Sequence, residues 1–334
     1  MTFTDLTLGY YLVDTSLGSL CSLDTTAPSV TIKEKNSDTT IEKKIVITGD
    51  EKVDSNSAGI GDTVNFSITI TVKDGAPKGY VLHDKLSGLT FDPNSLEVKV
   101  GTTTLTANTD YTLETNPADG DSFDVKFKDG KLKTNDVVVV TYSATVAANA
   151  TIAGAGNKNT AKLVYNEKDS TKEETTTYVW KLNVHKYALD STNHEVALSG
   201  AKFVLYRMDN GVKKYAKLTN KKIVGWVTDK DNATTLETSG TGDILIEGLN
   251  VGTYYLEETE APVGYNKLTE PIEVEITATT SVTSGSETVQ YKNSSETSYT
   301  PATDATVKVL NNAGTQLPST GGIGTTLFYV IGGG

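Results

Sequence analysis

The sequence is almost free of cysteine, since Cys21 is the only one among 334 residues. A single thiol cannot form an intramolecular disulfide, so the disulfide frameworks of small secreted domains are excluded. If the protein works outside the cell, its stability must come from another source.

Clusters of basic residues are also absent. The chain has 30 Lys and Arg against 42 Asp and Glu, a net charge of −12 and an isoelectric point near 4.8. Binding to nucleic acid depends on Lys and Arg grouped against phosphates, so we expect no nucleic-acid partner.

Long hydrophobic runs are missing at both ends. The N-terminal MTFTDLTLGYYLVDTS has neither the basic nor the apolar region of a signal peptide. The C-terminal LFYVIGGG (327–334) is apolar but too short to cross a bilayer. We therefore expect a piece cut from a longer protein at both ends.

What the sequence does contain is an alternation of apolar and polar residues with a period of two. In TVNFSITITV (63–72), Val64, Phe66, Ile68 and Ile70 share one face. Further predicted strands lie at 137–146, 202–206, 244–249, 272–276 and 305–309. No stretch keeps a helical repeat over three turns. The pattern predicts an all-β fold of tandem immunoglobulin-like β-sandwich domains.

Polar and turn-rich segments predict where the chain divides. The charged NEKDSTKEETTT (166–177) interrupts the strand pattern, and further breaks fall at TTAPSVTIKEKN (25–36) and LPSTGG (317–322). The predicted units are residues 1–29, 30–176, 177–313 and 314–334.

Several polar residues occupy positions where the alternation calls for apolar ones. In TIEKKIVI (40–47), Lys43 shares a face with Ile41, Ile45 and Ile47. Each half has a lysine, an acid and an asparagine on inward faces: Lys43, Asp84 and Asn159 in the first, and Lys186, Glu258 and Asn311 in the second. Solvated positions on edge strands, or accidental parity, would also give this pattern. Asn312 is the alternative to Asn311, although its parity turns it outward.

A buried lysine, acid and asparagine have a chemistry in common. Burial next to a carboxyl group favours the neutral forms of both groups, and a neutral ε-amine is a nucleophile. An un-ionised acid can polarise the asparagine carboxamide and shuttle protons. The predicted products are the Lys–Asn isopeptide bonds Lys43–Asn159 and Lys186–Asn311, with Asp84 and Glu258 as the catalytic acids and ammonia leaving.

These residues fall in motifs that resemble known surface domains. YYLEETEAPVGY (254–265) looks like the E-box of collagen-adhesin B-type domains, which implies that Glu258 is the acid. LSGAKFVLY (198–206) resembles the second strand of that domain. LHDKLSGLTF (82–91) and GNKNTAKLVY (156–165) resemble the fimbrial isopeptide-formation domain, and residues 1–29 resemble the last strands of an N-terminal pilin domain.

LPSTG (317–321) matches the LPxTG sorting signal of sortase substrates. The resemblance implies cleavage between Thr320 and Gly321, within a motif that also contains Leu317, Pro318 and Ser319, and transfer of the threonyl group to an amine. VTIKEKN (30–36) resembles the pilin motif VxVYPKN and places Lys35 at the lysine that would attack. A charged linker is the alternative interpretation of that segment.

The sequence thus predicts a shaft subunit of a sortase-assembled, wall-anchored pilus on the surface of a Gram-positive cell. Expected partners are sortase, neighbouring pilin subunits and peptidoglycan, and a host ligand such as extracellular matrix or mucosal glycans is left open. A wall-anchored monomeric adhesin is the alternative. A turnover enzyme is not expected, because no phosphate loop or nucleophile elbow occurs. The histidines His83, His185 and His194 form no metal-ligand spacing, so neither metal nor cofactor is expected.

Overall fold

The computed structural model describes residues 3–13, 19–26, 28–31, 38–49, 51–73, 78–166, 168–293 and 296–313. The strands are β1 Gly9–Val13, β2 Ser19–Leu23, β3 Thr40–Val46, β4 Lys52–Val53, β5 Ser55–Ser57, β6 Thr63–Thr71, β7 Val81–Leu86, β8 Leu89–Val100, β9 Thr103–Thr104, β10 Tyr111–Thr115, β11 Phe123–Phe127, β12 Val137–Val146, β13 Asn157–Tyr165, β14 Lys168–Asp169, β15 Glu173–Tyr178, β16 Trp180–Leu189, β17 Glu195–Ala197, β18 Lys202–Asp209, β19 Val212–Thr219, β20 Lys222–Val227, β21 Leu236–Glu237, β22 Asp243–Leu249, β23 Gly252–Glu260, β24 Ile272–Thr280, β25 Gly285–Asn293, β26 Thr300–Pro301 and β27 Thr306–Leu310. Among these residues, the one helical element is a 3₁₀ turn at Lys230–Asn232. The all-β prediction is confirmed.

The first sandwich consists of a six-stranded sheet facing a seven-stranded sheet. The six-stranded sheet runs in the order β4-β3-β6-β12-β8-β9, and the main path of the other is β10-β11-β7-β13-β15-β5. Alternate residues of both sheets point into a shared core, as the period-two pattern requires. Strand β3, with Lys43, therefore lies opposite the sheet that contains β7 and β13.

The second sandwich is built from twelve strands that are hydrogen-bonded into one continuous sheet. The sheet curls around a core to which Trp180, Leu182 and Val184 of β16 contribute. The last strand, β27, pairs in parallel with β16, the first long strand of this sandwich, so that Lys186 lies opposite Val309. The chain thus begins and ends this sandwich on adjacent strands.

The polar stretch 166–177 does not interrupt the strands as the sequence suggested. It contains β14 and most of β15, and β15 pairs with β13 and β5 of the first sandwich. The three threonines Thr175, Thr176 and Thr177 are all buried there. Threonine is β-branched and suits a pleated surface, so three of the four buried positions of this strand are filled without apolar residues.

The expectation that Ile47 faces the core with Lys43 is wrong. Strand β3 ends at Val46, and Ile47 is 41% exposed beyond that end. Alternation constrains side chains only as far as the strand extends.

A short, fully buried segment joins the two sandwiches. Tyr178, Val179 and Trp180 have no exposed surface. The Trp180 indole donates a hydrogen bond to Ser57 Oγ (2.9 Å), and Ile60 N–H donates to the carbonyl of Gly248 in the second sandwich (3.0 Å). Gly248 has a φ of +94°, and a Cβ there would lie 2.7 Å from Ile60, so this close approach requires glycine. The junction is therefore a packed interface with its own hydrogen bonds.

Candidate functional site

The fold brings the first predicted triple together in the core of the first sandwich. Lys43 projects from β3 of one sheet, and Asp84 (β7) and Asn159 (β13) project from the facing sheet. All three are at most 1% exposed. Strands β7 and β13 pair with Asp84 opposite Ala161, two residues from Asn159, so the carboxyl and carboxamide share a face.

A tyrosine connects the three side chains. The Lys43 ammonium forms an ion pair with Asp84 and donates a hydrogen bond to the Tyr142 hydroxyl (2.7 Å). That hydroxyl accepts a second hydrogen bond from Asn159 Nδ2 (2.8 Å) and donates to Asp84 Oδ2 (2.9 Å). The amine and the carboxamide therefore bind the same hydroxyl oxygen.

Tyr142 was missed at the sequence level, although it lies on the predicted strand 137–146. Its position is one of the inward ones on β12, between buried Val140 and Ala144. The ring stacks on Phe66, with centroids 5.2 Å apart, and meets Phe123 edge-on at 4.9 Å. These contacts hold the hydroxyl in place, and parity was the only sequence signal for it.

Burial shifts the proton equilibria of this site towards neutral groups. Desolvation lowers the pKa of Lys43 and raises that of Asp84, and in each case it outweighs the attraction between them. Desolvation and the neighbouring Asp84 raise the pKa of Tyr142 well above its ordinary value, so its hydroxyl stays protonated. A neutral amine, an un-ionised acid and a phenol are the forms this environment favours.

Two acceptor atoms of the first site have no hydrogen-bond partner. They are Asp84 Oδ1 and Asn159 Oδ1, both buried. A buried acceptor without a donor costs roughly 1–3 kcal/mol. A proton carried by Asp84 would supply a donor that the site lacks.

The second predicted triple also comes together, in the core of the second sandwich. Lys186 (β16), Glu258 (β23) and Asn311, which directly follows β27, are each at most 2% exposed. Lys186 Nζ donates a hydrogen bond to Asn311 Oδ1 and lies 3.2 Å from Glu258 Oε1. Asn311 Nδ2 donates to the same Glu258 oxygen at 3.3 Å. Each of the three side chains thus contacts the other two.

Backbone contacts fix the geometry of this second site. The Asn311 N–H donates to the carbonyl of Tyr187 (2.9 Å), which extends the parallel pairing of β27 with β16. The Leu268 N–H donates to Glu258 Oε2 at 2.7 Å and leaves Oε1 for the lysine and the carboxamide. Burial lowers the pKa of Lys186 to about 8, and this outweighs the opposing effect of Glu258.

The structure also distinguishes the two adjacent asparagines. Asn311 is 1% exposed and contacts Lys186, whereas Asn312 lies on the exposed side of the chain. The polymerisation lysine Lys35 and the sorting residues Leu317, Pro318, Ser319, Thr320 and Gly321 lie outside the described residues.

Both sites juxtapose a nucleophile with an electrophile in a dry interior. A neutral amine can attack a carboxamide carbon when an acid accepts and returns protons, and neither step needs a cofactor. Within the described part of the chain, the one group with the composition of a metal centre lies elsewhere, at His83, Asp119, Asp121 and Asp124. The described residues also include no helix long and apolar enough to span a bilayer.

Comparison with known proteins shows which folds this chain resembles. Residues 181–293 match the family described as the SpaA prealbumin-like fold domain. No curated protein matches the chain.

Three solved structures illustrate the likeness. The pilus 2b backbone protein of group B streptococcus is 24% identical with a TM-score of 0.62, over 83% of this chain and 99% of that one. The full-length major pilin RrgB of Streptococcus pneumoniae is 17% identical with a TM-score of 0.61, over 89% of this chain and 78% of that one. The major pilin BcpA of Bacillus cereus is 19% identical with a TM-score of 0.53, over 92% and 82%. The chain therefore has the fold of these major pilins, and its second sandwich matches the prealbumin-like domain family.

Proposed function

We propose that the protein is a structural shaft subunit of a covalent cell-surface pilus, stiffened by one autocatalytic Lys–Asn isopeptide bond in each sandwich. The observation that carries this proposal is the repeated buried triple of amine, acid and carboxamide, found once per sandwich on different strand arrangements. A buried ion pair is weak evidence for stability. Two such pairs, each beside an asparagine, fit a reaction better than a structural role.

The proposed reaction balances without an external reagent. The lysine passes a proton to the acid, Asp84 or Glu258, and the neutral Nζ attacks the Asn Cγ. The acid then protonates the departing nitrogen and takes back a proton from the new amide nitrogen. One Nζ–Cγ bond forms, the Cγ–Nδ2 bond breaks, and ammonia leaves. The chain is both reagent and product, so this is a single turnover.

Tyr142 has a positioning role in the first site. Its hydroxyl accepts hydrogen bonds from both Lys43 and Asn159, which brings the two reacting groups to one point. It also donates to Asp84 Oδ2, the carboxyl oxygen that pairs with Lys43, and so holds the acid against the amine. Lys186 and Asn311 touch directly, so the second site does not need such a bridge.

The bonds would change the path of mechanical load. With Lys43 joined to Asn159 and Lys186 joined to Asn311, tension would bypass residues 44–158 and 187–310. The backbone between the bonds would bear the load, including the buried junction at Tyr178, Val179 and Trp180. Closing loops of this length also restricts the unfolded chain, which stabilises each domain by about 4 to 5 kcal/mol if the disulfide relation applies.

The polymerisation step rests on sequence motifs together with the fold. A sortase would cleave after Thr320 and transfer the threonyl group to Lys35 of the next subunit. This head-to-tail linkage is heterologous and open, so it produces a fibre. The same acyl group passed to peptidoglycan would anchor the fibre to the wall.

Wall extracts separated by denaturing electrophoresis test this assignment in the producing bacterium. A shaft subunit gives a ladder of high-mass bands, and Lys35→Ala collapses the ladder to one band. Lys33→Ala, which alters the neighbouring lysine of the same segment, is the matched control and leaves the ladder intact. A single band from the unaltered protein would instead identify a wall-anchored monomeric adhesin.

A further inference from the structure

A histidine and three aspartates converge at one end of the first sandwich, outside both crosslink sites. His83 lies on β7 and Asp124 lies opposite it on β11. Asp119 and Asp121 belong to the turn that connects β10 with β11. The pairing of β7 with β11, together with the turn before β11, thus brings His83 close to three aspartates that lie far from it in sequence.

The four side chains meet with the spacing of a ligand set. His83 Nδ1 lies 2.9 Å from Asp124 Oδ1, 3.2 Å from Asp121 Oδ2 and 3.4 Å from Asp119 Oδ2. All four ligand atoms lie within 4.8 Å of one another. Three carboxylates packed this closely repel one another, and a single imidazole carries at most one compensating charge.

Asp124 gives an independent sign that a ligand belongs here. Its side chain is only 2% exposed, and its Oδ1, which points into the cluster, has no hydrogen-bond partner. The contact with His83 Nδ1 is short but lacks hydrogen-bond geometry. Lys126 Nζ lies 3.9 Å from the other oxygen, Oδ2. A buried carboxylate oxygen that no donor satisfies is stabilised well by a cation.

The two aspartates of the turn make the cluster accessible to an ion from solvent. Asp119 is 47% exposed and Asp121 is 21% exposed, so the cluster opens to solvent on the side of the turn. Water could complete the coordination shell there.

We propose that His83, Asp119, Asp121 and Asp124 form a binding site for a divalent transition-metal cation of the zinc or manganese class. Carboxylate oxygens and water suit calcium, magnesium and manganese, whereas an imidazole nitrogen suits zinc, so the mixed set of one nitrogen and three carboxylates points to zinc or manganese over calcium or magnesium. The ion would tie the β10–β11 turn to β7. Metal bound only to the folded state stabilises that state by mass action.

Titration of the full chain by calorimetry tests the site, after treatment with EDTA and dialysis. The unaltered protein should bind one equivalent of Mn²⁺ or Zn²⁺ saturably, and the bound ion should raise the melting temperature. His83→Gln and Asp119→Asn should each weaken binding by at least about tenfold. Asp119 is largely exposed, so its variant retains the fold even if His83→Gln does not.

The matched control is His185→Gln in the second sandwich. His185 Nδ1 lies 2.7 Å from a single carboxylate, that of Asp243, and so offers a histidine–aspartate pair without the other ligands. Its loss should leave the affinity unchanged. Absence of saturable Mn²⁺ and Zn²⁺ binding, equal weakening in the control, or saturation by Ca²⁺ but by neither transition metal would overturn the proposal.

Discussion

In the first site the lysine and the asparagine lie on two facing sheets. In the second site they lie on, or directly after, two neighbouring strands of one sheet. Lys43 must reach across the core, and a tyrosine hydroxyl lies between its amine and the carboxamide of Asn159. Lys186 and Asn311 are already adjacent because β16 and β27 pair in parallel. A lysine, an acid and an asparagine therefore meet in two topologies, and the site in which the lysine reaches across the core has an additional polar residue, Tyr142.

The acids differ in their anchoring as well. Glu258 is held by the N–H of Leu268, which leaves one oxygen for both partners. Asp84 is held by the Tyr142 hydroxyl and keeps one oxygen unpartnered. The comparison indicates that backbone geometry orients the second acid, whereas a side chain orients the first.

Removal of either acid should have the largest effect, and each should act on one site only. In Asp84→Ala and in Glu258→Ala the chain should retain one more ammonia than the unaltered protein. The free energy of unfolding of the affected domain should fall by about 4 to 5 kcal/mol, because loop closure is lost. Intact-mass spectrometry and denaturant unfolding measure both effects. Glu260→Ala, which removes an exposed acid of the same strand, is the control and should change neither.

The two adjacent asparagines sharpen the assignment of the second bond. Asn311→Ala should abolish the second isopeptide bond, so that the mass deficit relative to the variant's own sequence falls to one ammonia. The reason is that, of the two asparagines, Asn311 alone contacts Lys186. Asn312→Ala should leave the bond intact because that side chain is exposed. Fragment masses after proteolysis identify which residue is linked. Linkage through residue 312 would show that the last strand shifts register before reaction.

Removal of the Tyr142 hydroxyl should slow bond formation in the first site and leave the rate in the second site unchanged. Tyr142→Phe should slow formation of the Lys43–Asn159 bond by about 10²-fold, a typical effect of losing a group that positions proton transfer, and leave the second bond unaffected. Mass spectrometry during refolding of unreacted chain follows both bonds. Tyr80→Phe is the matched control, since its buried hydroxyl bonds Thr39 away from the site. An unchanged rate in Tyr142→Phe would assign the tyrosine to packing alone.

A change of pH should have the smallest effect, a gradual change in the rate at which the second bond forms. In the proposed reaction Lys186, whose pKa is lowered to about 8, passes its proton to Glu258, so the pair reacts in the protonation state that still holds this proton. The rate of the second bond should therefore fall as pH rises above about 8, by about tenfold for each pH unit. Refolding at a series of pH values with mass detection measures this. A rate that instead rises about tenfold per unit towards that pH would mean that the amine loses its proton to solvent and not to Glu258.

The sequence predicted the two buried triples because a buried polar residue breaks the alternation of a strand. Lys186 and Glu258 sit at positions where alternation requires apolar residues, and a misplaced charge is easily noticed. Tyr142 is not noticeable in this way, since a buried tyrosine looks like an ordinary core aromatic. Strand β15 escaped prediction because three of its four buried residues are threonines.

The cluster around His83 could not be predicted for a different reason. Its members come from β7, β11 and the turn before β11, and only strand pairing brings them together. Spacing along the chain therefore contains no signal for it. The sequence pattern reveals residues that break the alternation of a single strand. A site whose members come from different strands and turns becomes visible only in the folded structure.

In the proposed shaft subunit, the lysine and asparagine of each triple are covalently joined once the protein has folded. The intact mass of the purified full chain shows whether they are. It should be lower than the mass of the sequence by two ammonia molecules, with fragments that link Lys43 to Asn159 and Lys186 to Asn311. A mass equal to that of the sequence would contradict it.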